Sequence, residues 1–252
     1  MTPALLHPCW SAPIGVGAAV TLRHPGVSVA PYTGLNLAYH TGDDAACVNE
    51  NRAALLNRLG LEDVQWLEQV HGTHVLEASV DSAANAPQAD GAVTSAAGLA
   101  CAVMVADCLP VLLATRSGNR VGALHVGWRG LLAGVLESGL NQMESTARNL
   151  VAWLGPCISG EAYEVGPEVR DAYLDAPGSE ASESAFLPSP GRSHHWLMDL
   201  RAIAAHKLTT LGVTFEVSPR CAYREHKRFY SYRRDGVTGR FAALVWITPR
   251  SE

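Results

Sequence analysis

Residues 99–115, LACAVMVADCLPVLLAT, form an almost unbroken apolar run, and RVGALHVGWRG at 120–130 follows a few residues later. A strand with one wet face alternates apolar and polar residues, whereas a strand buried on both faces need not. Runs of this length and branching therefore predict interior strands that other layers cover on each side. At 252 residues, 48% of them hydrophobic, the chain is long enough to bury such a core.

The flanking segments supply the cover. GDDAACVNENRAALLNRLG predicts a helix opened by Asp43 and Asp44, with Val48, Leu55, Leu56 and Leu59 as its apolar positions and Gly60 as its stop. GLLAGVLESGLNQM predicts a second, amphipathic helix and LMDLRAIAAHKLTTLG a third, again with a glycine stop. VQWLEQVHG, HVLEAS and LVAWLG read as strands, residues 14–39 as short strands and turns, and APQAD as a loop. The stretch at 175–193, rich in Ser, Pro, Gly and Ala, reads as a loop or local insert. RFYSYRRDGVTGRFAALVWI reads as a hairpin whose second strand is interior. No internal repeat or heptad is present, and strands and helices mix without strict βαβ alternation. The expectation is one α/β domain over residues 1–252, with mixed β-sheets covered by helices.

Charge and cysteine usage narrow the function classes. The formal charge of −5 is mild and spread along the chain, which argues against nucleic acid or an anionic membrane as the main partner. No run of about 18 apolar residues exists to span a bilayer. MTPALLHPCW lacks a basic region followed by an apolar one, so a cytoplasmic protein is expected. Six cysteines lie far apart with no C-x-x-C pair, which points away from a zinc ribbon or a disulfide framework and toward free thiols, most of them buried.

Three residues stand in similar settings. His71 closes the expected strand ending EQVHG, Cys108 closes AVMVAD just before Pro110, and His125 closes ALHV just before Gly127. Side chains at strand ends beside turns converge on clefts more readily than those in mid-strand. Two imidazoles and one thiolate make a three-ligand site with an open fourth position, as in catalytic zinc. Spacing alone leaves core packing, a cysteine nucleophile and a metal ligand all open for Cys108.

The segments TLRHPGVSVAPYTGLNLAYHTGDD, LEQVHG, ADCLPVLL, HVGWRGLLAGV, GPCISGEAYEVG and FYSYRRDGVTGR, spread over nearly the whole chain, resemble the laccase-domain family. Its members are also described as multicopper polyphenol oxidase-like proteins, purine nucleoside phosphorylases or peptidoglycan editing factors. The resemblance implies a compact α/β/β/α arrangement, likened to cysteine hydrolases, with zinc bound by His71, Cys108 and His125. One departure is visible, since Pro25-Gly26 stands where the family has a glycine pair. The implied activity is phosphorolysis of adenosine or inosine, with methylthioadenosine as a further candidate substrate, and in addition deamination of adenosine. Purine nucleoside and phosphate are then the expected partners, with no nucleic acid and no membrane.

Within the matched motifs further residues become candidates. Arg129, flanked by Gly127 and Gly130 at a strand-to-helix turn, is a candidate for phosphate. Arg23, Arg52 and Arg233 are candidate substrate contacts because they fall inside the motifs. Asn36 and His40 are candidates for sugar binding and proton transfer, and Asp107 for a base or for orienting a ligand. Cys108 and His125 are the remaining catalytic candidates, in addition to their expected metal role. Two alternatives stand beside this reading. One is an amidase that edits peptidoglycan precursors, either metal-dependent or with Cys108 as nucleophile and His125 as base. The other is a polyphenol oxidase supported by copper in place of zinc. The ten histidines form no H-x-H pair, so the pattern of a four-copper oxidase is lacking.

Overall fold

In the computed structural model, which describes residues 1–176 and 183–249, the run at 99–115 is two strands separated by a three-residue turn. The strands in chain order are β1 Leu5–Leu6, β2 Val16–Thr21, β3 Asp63–Gln65, β4 Val75–Glu77, β5 Gly91–Thr94, β6 Leu99–Val105 and β7 Leu109–Thr115. They continue as β8 Val121–Val126, β9 Leu150–Leu154, β10 Glu164–Val165, β11 Phe186–Pro188, β12 Trp196–Met198, β13 Thr214–Val217 and β14 Phe241–Ile247. The helices are α1 Ala45–Leu59, α2 Val80–Ala83, α3 Trp128–Ala133, α4 Val135–Gln142, α5 Pro167–Leu174, α6 Leu200–Thr210 and α7 Tyr232–Asp235.

Two mixed sheets stack face to face, in the orders β1-β2-β14-β6-β3 and β13-β9-β7-β8-β5-β4, with a small third sheet β10-β12-β11 beside them. The apolar runs still alternate, but between two dry faces. Along β6, Cys101, Val103 and Val105 meet the second sheet while Ala100, Ala102 and Met104 face the α1 side. Along β7, Leu112 and Ala114 meet the first sheet, and Val111 and Leu113 pack with Leu131, Val135, Val169 and Ile203 of α3 to α6. The layers are α/β/β/α, as the family resemblance implied.

Local chemistry sets the element ends. The Asp44 carboxylate accepts the Ala46 N–H to cap α1, and Gly60 closes it in the left-handed region at φ 66°. The expected helix over 130–143 is two helices, because Gly134 at φ 101° breaks the ladder. A Cβ on Gly139 would stand 2.4 Å from Leu124 Cδ1, so only glycine lets α4 lie this close to β8.

Several expectations are corrected. VQWLEQVHG pairs with β6 only through Gln65, and after a single further bridge from Glu68 to Gln88 His71 sits on an irregular loop at φ 60°. Pro110 does not end a strand but lies inside β7, opposite His125. The C-terminal hairpin is absent: its first arm carries the short helix α7, and β14 pairs with β2 and β6 instead. Of the stretch 175–193, residues 177–182 lie outside the described residues, and Phe186–Pro188 forms β11. The third helix starts only at Leu200, capped by Asp199, because Trp196–Met198 is β12. All six cysteines are free, and three of them, Cys101, Cys157 and Cys221, are buried. Among the described residues, no helix is long and apolar enough to cross a membrane.

Leu112 has no exposed surface and packs between the two sheets. Leu112→Ala should lower unfolding stability by about 2–5 kcal/mol in urea titration. A loss below about 1 kcal/mol would mean that the sandwich interior closes over the missing volume.

Candidate functional site

The turn between β6 and β7 holds Asp107 at φ 105°, a left-handed value rare outside glycine. Backbone held this way persists where its surroundings over-determine it, often at functional sites. Here Ile158 N–H donates to the Asp107 carbonyl at 2.9 Å, and Arg233 N–H donates to Asp107 Oδ2 at 2.7 Å. Burial pushes the Asp107 carboxyl up, against the opposing pull of the Arg233 N–H and the Ser231 hydroxyl. Its Oδ1 is buried and has no hydrogen-bond partner among the described residues. Cys108 follows directly and is half-buried.

His71 reaches the same place from the loop after β3. The Gln69 side chain clamps that loop to β6, since its Oε1 accepts the Met104 N–H and its Nε2 donates to the Met104 carbonyl, both at 2.8 Å. The amide takes the place of a strand neighbour where β3 has ended. Asp90, fully buried just before β5, does the rest. Its carboxylate accepts N–H groups from Val70 at 3.3 Å, His71 at 2.9 Å and Gly72 at 2.6 Å.

The same carboxylate fixes His125 at the end of β8, with Asp90 Oδ1 2.8 Å from His125 Nδ1. Burial alone would raise the Asp90 carboxyl, but the His125 contact and the Gly72 and His71 N–H groups hold it below the usual range. An ionised Asp90 holds a proton on Nδ1, so Nε2 is the nitrogen available to the cluster once the His125–Cys108 pair has given up its proton.

The ligand atoms of His71, Cys108 and His125 all lie within 4.8 Å of one another, with Cys108 Sγ 3.8 Å from His71 Nε2. Among the described residues they are the one cluster of three such side chains that converges. A Cβ on Gly127 would stand 2.7 Å from His71 Cδ2 and 3.3 Å from Cys108 Sγ, so the approach of these side chains requires glycine there. Burial opposes a thiolate at Cys108, yet His125 and His71 bring the thiol down to about 6. Burial likewise opposes an imidazolium at His125, yet Cys108 and Asp90 raise it to about 9. The pair is thus prepared to give up a proton in exchange for a divalent ion. Two imidazoles and a thiolate with a hydrogen-bonded carboxylate behind one ring fit a mononuclear metal of borderline softness.

A cavity of about 350 Å³ opens over the cluster, lined also by His40, Gln69, Met104, Tyr232 and Arg240. Cavities of about 570 and 460 Å³ elsewhere contain no converging donors, so chemistry and not size selects the site.

The other expected residues are placed unevenly. His40 lines the cavity, and burial together with Arg240 and Arg52 pushes its imidazole below the ordinary value. Asn36, Arg23, Arg52, Arg129 and Arg233 do not line it. Asn36 is fully buried, and its amide is occupied by Ala38, Thr41, Asp43 and the Arg240 N–H. Arg52 lies between the rings of Tyr39 and Trp66, at 4.4 and 4.1 Å, and donates to the Leu37 carbonyl. Arg23 stacks over Tyr230 and donates to the Thr33 and His226 carbonyls. Arg129 is exposed and folds over its neighbour Trp128, and Arg233 donates to the Glu164 carbonyl.

Sequence reading missed Asp90, Gln69, Tyr232 and Arg240. The signal for Asp90 was an acid immediately before an apolar strand, and it was absorbed into the loop APQAD. Asp90→Asn keeps the shape but replaces the charge that holds His125. It should weaken divalent metal retention about 10–100-fold, measured by competition with a chelator. Unchanged retention would show that backbone packing alone orients the ring.

Residues 17–248 match the family described as multi-copper polyphenol oxidoreductase laccase. A protein of Pseudomonas aeruginosa named purine nucleoside phosphorylase is 46% identical over 97% of this chain and 98% of its own length. Escherichia coli purine nucleoside phosphorylase YfiH is 43% identical over 96% of this chain and 98% of its own. A crystal structure of a Neisseria meningitidis protein superposes with a TM-score of 0.92 at 41% identity, covering 97% of this chain and 99% of that one. YlmD from Geobacillus stearothermophilus gives a TM-score of 0.87 at 28% identity, over 97% and 99% of the two chains. With its donor cluster, its layers and its near full-length relatives in agreement, this chain belongs to the multi-copper polyphenol oxidoreductase laccase family.

Proposed function

We propose that the protein is a zinc-dependent purine nucleoside phosphorylase that also deaminates adenosine, with His71, Cys108 and His125 as the metal ligands. The observation that carries this reading is the converged His-Cys-His donor set opening into a cavity of about 350 Å³. The names of the relatives supply the reaction class, purine nucleoside and phosphate being the substrates. Zinc bound there supplies Lewis acidity toward an oxygen atom, without a redox change.

The chain's own residues do the remainder. Asp90 keeps the His125 proton on Nδ1, so that ring serves as a ligand and not as a base. His40, largely neutral at neutral pH, is positioned to take or return a proton at the purine or sugar. Asn36 and Arg52 brace the segment that bears His40, through Thr41 and Leu37 respectively. Asp107 anchors the turn that presents Cys108. Arg129, folded over Trp128, and Arg233, bound to the Glu164 carbonyl, lie outside the cavity lining and would act on an anionic substrate only at a distance.

One observation favours a second reading. Asp90, His125 and Cys108 form a carboxylate–imidazole–thiol series of the kind that activates a cysteine nucleophile, which fits an amidase acting on peptidoglycan precursors. His71 Nε2, 3.8 Å from the same sulfur, has no part in such a triad and favours the metal. For phenol oxidation the mononuclear donor set leaves copper bound singly in place of zinc.

Metal analysis together with chromatography of purines tests the assignment. Zinc-loaded protein incubated with adenosine or inosine should release base only when phosphate is present. Adenosine should also yield inosine. Cys108→Ala should lose both metal and base release while keeping its circular dichroism. Full metal content in that variant, or inertness toward every purine nucleoside with cleavage of a muropeptide precursor, would reject the proposal.

A further inference from the structure

The cavity over the donor cluster contains one guanidinium and no carboxylate. That guanidinium belongs to Arg240, which is half-buried where β14 begins. Its Nη1 donates to the carbonyls of Thr238 at 2.9 Å and Gly239 at 3.1 Å, and its backbone N–H donates to Asn36 Oδ1 at 2.9 Å. These neutral acceptors fix the plane of the group without cancelling its charge. Among the described residues, Arg240 makes no ion pair, and its Nε and Nη2 meet no protein acceptor. The Tyr232 ring, also lining the cavity, lies 5.9 Å away.

A charge taken partly out of water is costly unless something of opposite sign meets it. Cys108, Asp107 and Tyr232 all act electrostatically on Arg240, but the one carboxylate among them, Asp107, is not part of the cavity lining. A divalent ion held by His71, Cys108 and His125 would add positive charge beside Arg240 in the same lining. An acid-free lining of this kind selects an anion, and a guanidinium presents paired donors suited to a tetrahedral oxyanion. The competing location is weaker. Arg129 is exposed and folded over Trp128, and α3, with six residues, offers too short a helix to act as an anion site.

We propose that Arg240 is the anion subsite of this cavity, its free edge taking inorganic phosphate beside the metal ligands. The inference rests on the phosphorolytic reading for the identity of the anion but not for its location. An anion carried on the nucleoside itself has the same chemistry, so the two sources are tested separately.

Calorimetric titration of zinc-loaded protein with inorganic phosphate alone reads the subsite without turnover. Arg240→Gln should weaken phosphate binding about 10–100-fold, and Arg240→Lys, which keeps the charge but not the fork, should fall between it and the parent. The KM for phosphate should rise in parallel while the KM for inosine holds. Because Arg240 also braces Thr238 and Gly239, thermal melting accompanies each variant, and the lysine variant decides the matter if the glutamine variant does not fold. Phosphate affinity unchanged in either folded variant overturns the proposal, as does loss of affinity in Arg129→Ala alone. Tight binding of adenosine 5′-monophosphate that inorganic phosphate cannot displace overturns the free-phosphate assignment. If Arg240→Gln loses phosphate binding but the parent releases base from no nucleoside, the subsite stands and the phosphorylase reading falls.

Discussion

A buried carboxylate organises the site. Asp90 has no exposed surface, and its charge is tolerable there only because donors surround it. Those donors are the N–H groups of Val70, His71 and Gly72 and the Nδ1 of His125. Two of the three metal-capable residues are therefore held by one group, one through its backbone and the other through its ring. The third, Cys108, is delivered by a turn whose left-handed Asp107 is held by Ile158 and Arg233. Both anchors are hydrogen bonds within the chain, made by atoms other than the donor atoms themselves.

The sandwich explains why these pieces meet at one edge. β6 and β7 lie in different sheets, and the turn between them crosses from one sheet to the other. Cys108 is thus placed at the junction of the layers. β8 delivers His125 next to that junction because Pro110 and His125 are register partners. Gly127, directly after β8, leaves room for the imidazole of His71 and the sulfur of Cys108. Had β3 continued past Gln65, His71 would have been locked into the first sheet. The Gln69 amide instead binds β6 at Met104 and lets the loop swing toward the second sheet.

Much of the layering could be read from residues 99–126, because unalternating apolar strands demand cover on both faces. The α1 boundaries were equally legible, since Asp44 and Gly60 are local signals with local causes. The donor residues were found by type and by their nearness to turns, although two of the three do not end strands as expected. His71 lies on a loop and Cys108 in a turn; only His125 closes a strand as read. What stayed hidden depends on contacts distant in sequence. Asp90 acquires its meaning from partners 18 to 35 residues away, and Arg240 from an Asn36 that lies 204 residues before it. The C-terminal hairpin failed for the same reason, because β14 finds better partners in β2 and β6 than in its own neighbouring segment.

The choice between nucleophile and ligand for Cys108 turns on His71. Asp90, His125 and Cys108 alone would make an activated thiol, and their mutual polarisation is what such a thiol requires. A nucleophile, however, needs an unobstructed line of attack and a base free to move its proton. His71 Nε2 stands 3.8 Å from the sulfur, and its ring packs edge-on against His125 at 4.7 Å between centroids. A second imidazole there crowds the approach to sulfur, although with His125 it also holds the thiol pKa down. For a metal it would complete a set of three donors, beside a cavity that His40 and Arg240 also line. His71, which the structure places on a loop and not at a strand end, is therefore the residue on which the proposed metal role of Cys108 rests.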